Sequence, residues 1–195
     1  MSAWNEEYVG TPPWDIGRPQ PAFVQLVEEG VLRGNPILDV GCGTGENALY
    51  FASKGLKAVG IDFASRAIEK AKRKAAERGL DATFLVHDAL DLAALRRRFA
   101  TVTDSGLFHT FSDEDRPRFA EQVWRALKPK GTYFMMCMSE KEPAEWGGPR
   151  RVTRDEVRVA FTPPRFHVRS IEEARFETNF HEDGALAYLA MVDRP

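Results

Sequence analysis

The chain has 195 residues, 43% hydrophobic and 29% charged, the balance of an ordinary globular protein long enough to bury a sizeable core. Its net charge of −2 offers no general attraction to nucleic acid or an anionic membrane, and no apolar run approaches the roughly 20 residues needed to span a bilayer. Two distant cysteines, Cys42 and Cys137, with no C-x-x-C or H-E-x-x-H pattern, argue against a metal site or a disulfide framework. The N-terminal MSAWNEEYVG lacks the basic start and apolar run of a signal peptide, so the expected setting is cytoplasmic.

In chain order, the first distinctive stretch is TPPWDIGRPQPAF (11–23), stiff with proline and carrying Trp14. It reads as a linker, as a catalytic P-P-W element or as a lid over a ligand. Helical patterning follows over 22–32, then a strand at PILDV (36–40), a helix over 46–55 and a strand at KAVGID (57–62). The segment 65–79 is a helix whose Ile68, Ala71 and Ala75 share one face. Its Lys70, Lys72, Arg73 and Lys74 read as a solvated face rather than a nucleic-acid patch. Strands are expected at ATFLVHD (82–88), FATVTDSG (99–106) and GTYFMMCMS (131–139).

Between the last two, 113–131 carries an apolar stripe of Phe119, Ala120, Val123, Trp124 and Leu127. Ser112 is placed to cap its start, and Pro129 with Gly131 to stop it. A short helix near 154–161 has the capping-box pattern Thr153-x-x-Glu156. The final strands, 165–177 and 185–193, are joined too closely for a crossover and form an antiparallel hairpin. Alternating strands and helices predict an α/β fold, a mostly parallel sheet with helices on both faces, in one domain.

The most informative stretch is ILDVGCGTGENALYFA (37–52), a buried strand running through Gly41, Gly43 and Gly45 into a helix. Glycines there allow positive φ and close backbone approach, and the helix start offers free N–H groups. A dinucleotide fingerprint needs glycine where Glu46 stands, and the G-K-[ST] ending of a phosphate loop is missing. Asp39, two residues before the first glycine, suits a cationic ligand better than a pyrophosphate. Asp62 ends the second strand, where an acid can accept both hydroxyls of a ribose. Asp88 ends the third, placed to accept from an exocyclic amine while the Ala89 backbone meets a ring nitrogen.

As an ordered set, LDVGCGTG, VGIDFA, HDAL, TDSGLFH and LKPKGTYFMM resemble the motifs of class I S-adenosylmethionine-dependent methyltransferases over residues 36 to about 140. The resemblance implies a Rossmann-like seven-stranded sheet with an antiparallel C-terminal strand. It implies that Asp39, Gly41, Cys42, Gly43 and Gly45 surround the methionine part of S-adenosylmethionine. Asp62 would hold the ribose, Asp88 and Ala89 would read the adenine, and Phe63 would also belong to the cofactor site. Asp104 and Ser105 would lie near the amino group and the transferable methyl.

TPPW is similar to the motif with which amino-methylases of adenine and glutamine grip their target. In those enzymes the motif follows the fourth strand, where this chain has DSGLFH, so the catalytic reading of TPPW fails on position. The stretch PPWDIGRPQP with TVTDSGLFH is instead similar to the thiopurine, thiol and halide methyltransferases and to small bacterial heterocycle-methylating enzymes. That likeness implies a lid, with Trp14 over the sulfonium; Trp14 as a core plug stays open beside it. Residues 1–35 would then be lid and first helix, 36–140 the cofactor core, and 141–195 a substrate loop and hairpin.

The expected activity is methyl transfer to a small-molecule thiol, halide or heterocycle, with no nucleic-acid or membrane partner. His109, five residues after Asp104, is the candidate base or substrate-orienting residue, with a purely structural hydrogen-bonding role open beside it, and Asp104 is the second catalytic candidate. Trp146, Gly147, Gly148 and Pro149 are placed to shape a substrate pocket, with Arg150 or Arg151 for an anionic group, and an ordinary mobile surface loop stays equally open. Two alternatives stand beside this: a non-catalytic cofactor-binding module, and a methyltransferase acting on protein or nucleic acid.

Overall fold

The computed structural model describes residues 3–143, 145 and 147–195. Its seven strands are β1 (Ile37–Val40), β2 (Ala58–Asp62), β3 (Ala82–Val86), β4 (Phe99–Ser105), β5 (Leu127–Met138), β6 (His167–Phe176) and β7 (Ala185–Asp193). They form one sheet in the order β3-β2-β1-β4-β5-β7-β6. Strands β1 to β5 pair in parallel, and β7 inserts antiparallel between β5 and β6. The expected hairpin and the Rossmann-like sheet are both present. The chain order reverses between β1 and β4, and in such sheets the crevice beyond the carboxyl ends at that point is where ligands bind.

The helices are α1 (Ala3–Glu7), α2 (Pro21–Glu28), α3 (Glu46–Ser53), α4 (Ser65–Arg78), α5 (Asp115–Ala126) and α6 (Arg154–Ala160), with 3₁₀ turns at Ala89–Leu95 and Phe108–Thr110. Alternating strand residues feed two cores, as a period of two requires. On one face Ile37, Phe134 and Met136 pack with Phe23 of α2, Leu49 of α3 and Ile68 of α4. On the other, Leu38, Val102 and Tyr133 pack with Phe119 and Val123 of α5 and Val157 of α6. At roughly 25 cal/mol per Å² of apolar surface, these two layers supply the main drive for folding.

Two helix boundaries differ from the sequence pattern. The helix expected over 22–32 ends at Glu28, because Gly30 takes φ 69° and the amides of Val31 and Leu32 turn back to the Leu26 carbonyl. The helix expected over 113–131 stops at Ala126, and Leu127 already pairs with Phe99 as the first residue of β5. The register then shifts before Thr101 meets Thr132, with Lys130 at φ 64° absorbing the extra residues. Ser112 caps the turn ahead of α5, its Oγ accepting from the Asp115 N–H at 3.1 Å. The capping box of α6 is complete, with Glu156 N–H to Thr153 Oγ1 at 3.1 Å and Thr153 N–H to Glu156 Oε2 at 2.7 Å.

Candidate active site

Beyond the carboxyl ends of β1 to β4 lies a cavity of about 820 Å³, within the roughly 300–1,000 Å³ usual for small-molecule and cofactor sites. Its floor is the turn between β1 and α3. Gly43 adopts φ 54° and Gly45 φ 87°, both in the region that penalises other residues. A Cβ on Gly45 would sit 2.7 Å from the Phe84 ring and 2.9 Å from Ala71, so only glycine lets α3 start this close to the sheet. Cys42, half-buried, also lines the cavity; both cysteines are free thiols, and burial pushes that of Cys42 up.

Three acids meet this floor, and two of them are strongly desolvated. Asp39 is 2% exposed, and burial raises its carboxyl to about 7. Its Oδ1 accepts from Thr103 Oγ1 at 2.7 Å, whereas Oδ2 is buried without a hydrogen bond of normal geometry among the described residues. A buried carboxylate oxygen with no donor costs free energy that a cationic ligand recovers. Asp62 binds the glycine turn directly, Oδ2 accepting from Gly43 N–H at 2.9 Å and Oδ1 from Ala64 N–H at 2.8 Å. Burial raises it too, against the pull of those amides. Asp88, exposed, caps the 3₁₀ turn through Leu90 N–H at 2.8 Å and lines the cavity with Ala89. Phe63, 55% exposed, presents an apolar ring to the same end. His87 is occupied by the Asp91 carbonyl at 2.8 Å.

The N-terminal stretch forms the roof. Trp14 donates from Nε1 to the Tyr8 hydroxyl at 3.0 Å and meets the rings of Trp4 and Tyr8 edge-on. All three aromatics line the cavity. The roof is fastened on two sides. Thr44 Oγ1 donates to Asp15 at 2.9 Å and the Gln20 N–H to Asn47 Oδ1 at 2.9 Å, tying it to the turn and first residues of α3. On the other side Gln20 and Glu177 exchange two bonds of 2.9 Å, and the Asn179 amides donate to the Pro13 and Asp15 carbonyls. The lysines of α4 are not all solvated as expected: Lys70 donates to the Gly10 carbonyl, and Lys74 bridges Thr44 and Glu46. Sequence reasoning missed Tyr8, Asp15, Gln20 and Thr103, which belong to no motif and are recognisable only once the roof and sheet are assembled.

The fourth strand corrects one expectation. Thr103 and Ser105 face the cavity side, so Asp104 between them points the opposite way. Its carboxylate accepts from the Leu107 N–H at 2.6 Å, the Phe108 N–H at 2.9 Å and the Tyr133 hydroxyl at 2.9 Å, and burial raises it to about 7. It is fully buried and does not line the cavity. Asp104 therefore shapes the turn that brings Ser105, Gly106, Leu107 and His109 to the wall rather than lining the cavity itself. His109 is 6% exposed, and its Nδ1 accepts from the Met138 N–H at 3.1 Å. Burial, with the charges of Arg116 and Arg151, lowers it to about 3.

After β5, Gly148 and Pro149 reach the cavity rim; Trp146 lies outside the described residues. Arg150 is held by Asp113 and Glu156, so it is not available for an anionic ligand as expected. Arg151 donates to the carbonyls of Gly147 at 2.6 Å and Pro149 at 2.7 Å, which fixes the loop. Among the described residues there is no His/Cys/Asp/Glu cluster able to hold a metal, and no helix long and apolar enough to cross a membrane.

The residues present fit S-adenosylmethionine: an acid with an unpartnered buried oxygen for an ammonium, a second acid on the glycine turn, and an exposed aromatic ring beside the third strand end. Comparison with known proteins agrees. Residues 37–131 match the family model described as a methyltransferase domain. The chain is 38% identical to a 2-heptyl-1-hydroxyquinolin-4(1H)-one methyltransferase of Mycobacteroides abscessus over 92% of this chain and 81% of that protein. It is 29% identical to a probable thiol methyltransferase of Arabidopsis thaliana, over 86% and 75% of the two chains. A structure solved in connection with the conversion of a disulfide bond into a thioacetal group during echinomycin biosynthesis superposes with a TM-score of 0.88 and 34% identity, over 98% of this chain and 90% of that one. The cavity, its acids and these relatives agree on one conclusion: the chain belongs to the S-adenosylmethionine-dependent methyltransferases.

Proposed function

We propose that the protein methylates a small-molecule acceptor, a thiol, a halide or a nitrogen or oxygen heterocycle, within the roofed cavity. The observation that carries this reading is the roof itself. Trp4, Tyr8 and Trp14 cover the cavity that Asp39 and Asp62 line, which suits a small acceptor rather than a polymer. The relatives named for a hydroxyquinolinone and for thiols favour the same acceptor classes.

In this reading Asp39 takes the ammonium of the cofactor through Oδ2, with Gly41, Cys42, Gly43 and Gly45 around the methionine part. Asp62 accepts from the ribose, and Asp88, Ala89 and Phe63 hold the adenine. Ser105 and His109 stand at the acceptor end, and Trp14 closes over the cation. When bound, the cofactor supplies an already activated methyl group. The chain's own work is to bind, align the acceptor and exclude water. Residues 1–195 act as one unit: 1–35 as lid and first helix, 36–140 as cofactor core, 141–195 as acceptor loop and hairpin. We place it in the cytoplasm, where the two free thiols stay reduced.

The test is S-adenosylhomocysteine formation with thiols, iodide, phenols and hydroxyquinolines. Turnover on any of these classes supports the reading. Cofactor binding without turnover on the whole panel would favour a binding module, and methylation confined to protein or nucleic acid would replace the acceptor class.

A further inference from the structure

His109 lines the cavity with a ring of fixed polarity. The Met138 backbone N–H can only donate, so Nδ1, at 3.1 Å from it, must be the nitrogen without a proton. In a neutral imidazole the proton is then on Nε2, which makes no hydrogen bond among the described residues although the ring lines the cavity. The surroundings keep the ring neutral: Arg116 of α5 and Arg151 of the loop after β5 place positive charge near it, and the Phe176 ring of β6 packs at 6.3 Å. The other acid of this turn, Asp104, is spent on Leu107, Phe108 and Tyr133. Met138, Phe111 and Phe176 line the same cavity and give it apolar surface.

We propose that His109 is a hydrogen-bond donor to the acceptor rather than its base, so that the site takes flat aromatic acceptors as their anions and selects them by acidity. This rests on the small-molecule reading above. A donor at Nε2 stabilises an oxygen or sulfur anion and has no lone pair with which to remove a proton. The anion's lone pair then forms the bond to the methyl carbon as the carbon–sulfur bond breaks and its electron pair neutralises the sulfonium. No proton leaves in that step; it is lost to solvent before the acceptor binds.

The experiment uses the full chain saturated with S-adenosylhomocysteine and 4-nitrophenol as probe, because the bound phenolate absorbs visible light and the phenol does not. The expected result is that the midpoint for ionisation of bound 4-nitrophenol falls by about one pH unit or more below that of the free probe. His109→Phe should abolish the fall, and His109→Gln, which restores an N–H donor, should recover part of it. In turnover with phenols of graded acidity, the pH midpoint of kcat/KM should move with the acceptor. A bound probe that stays neutral, or a pH midpoint fixed at one value across all acceptors, overturns the proposal in favour of an enzyme base. The wild-type shift decides the matter even if His109→Phe fails to fold. Retained turnover on thiols and iodide would separate that failure from a failure of the methyltransferase reading.

Discussion

Thr103 Oγ1 donates to Asp39 Oδ1 at 2.7 Å, while Oδ2 of the same buried carboxylate has no hydrogen bond of normal geometry, with the Ala48 amide of α3 nearby. Burial holds this acid at about 7 in the cofactor-free protein, well above an ordinary aspartate. At pH 6 it therefore carries a proton. An ammonium at Oδ2 requires the ionised form, so cofactor binding at pH 6 should release a proton. Affinity should rise with pH by up to about tenfold per unit, levelling near 7. Calorimetry in two buffers of different ionisation enthalpy measures this directly. Asp39→Asn should bind weakly and show no proton release; release that persists in the variant would assign the linkage to another group.

Asp62 accepts two backbone amides, and one of them belongs to Gly43 of the glycine turn. Asp62→Ala removes the ribose acceptor and the brace on the turn together. Cofactor affinity should fall by about 1–3 kcal/mol, roughly 5- to 150-fold. Unchanged affinity in calorimetry would take Asp62 out of the ribose site.

Trp14 separates a lid from a core plug. It is half-buried and donates to Tyr8, itself close enough to Gly43 that a Cβ there would lie 2.9 Å from the hydroxyl. Trp14→Ala should raise the cofactor KM roughly tenfold while lowering Tm by only a few degrees. A large fall in Tm with an unchanged KM would make it packing.

Asp104 should behave as a structural acid. Asp104→Ala leaves three donors without their acceptor, the buried Phe108 amide and Tyr133 hydroxyl and the half-buried Leu107 amide. Denaturant unfolding should show a loss of about 3 kcal/mol or more. Cofactor affinity well below the midpoint should stay within about threefold of wild type. A variant of normal stability but with lost methyl transfer would return Asp104 to the catalytic group.

Much of this was legible in the sequence, because hydrophobic periodicity and glycine placement are local signals. The strand–turn–helix at 37–52 and the capping box at Thr153 formed as read. Leu127 was not legible as strand: its apolar spacing continues the stripe of α5, and only pairing with Phe99 claims it for the sheet. Asp104 was placed correctly along the chain but not in direction, since the side on which a strand-end acid points depends on its alternation with Thr103 and Ser105. Arg150 looked free because Asp113 and Glu156, which hold it, lie on other segments. The roof was suspected from its prolines, yet its fastening through Gln20, Asn47 and Glu177 spans most of the chain length and leaves no local pattern.

The most direct test of the account is a crystal structure of the chain with S-adenosylhomocysteine bound. The amino group is expected at Asp39 Oδ2, the ribose hydroxyls at Asp62, the adenine beside Phe63 and Ala89, and Trp14 closed over the sulfur. Density for the cofactor with its amino group away from Asp39, or with residues 4–20 displaced from the cavity, would contradict it.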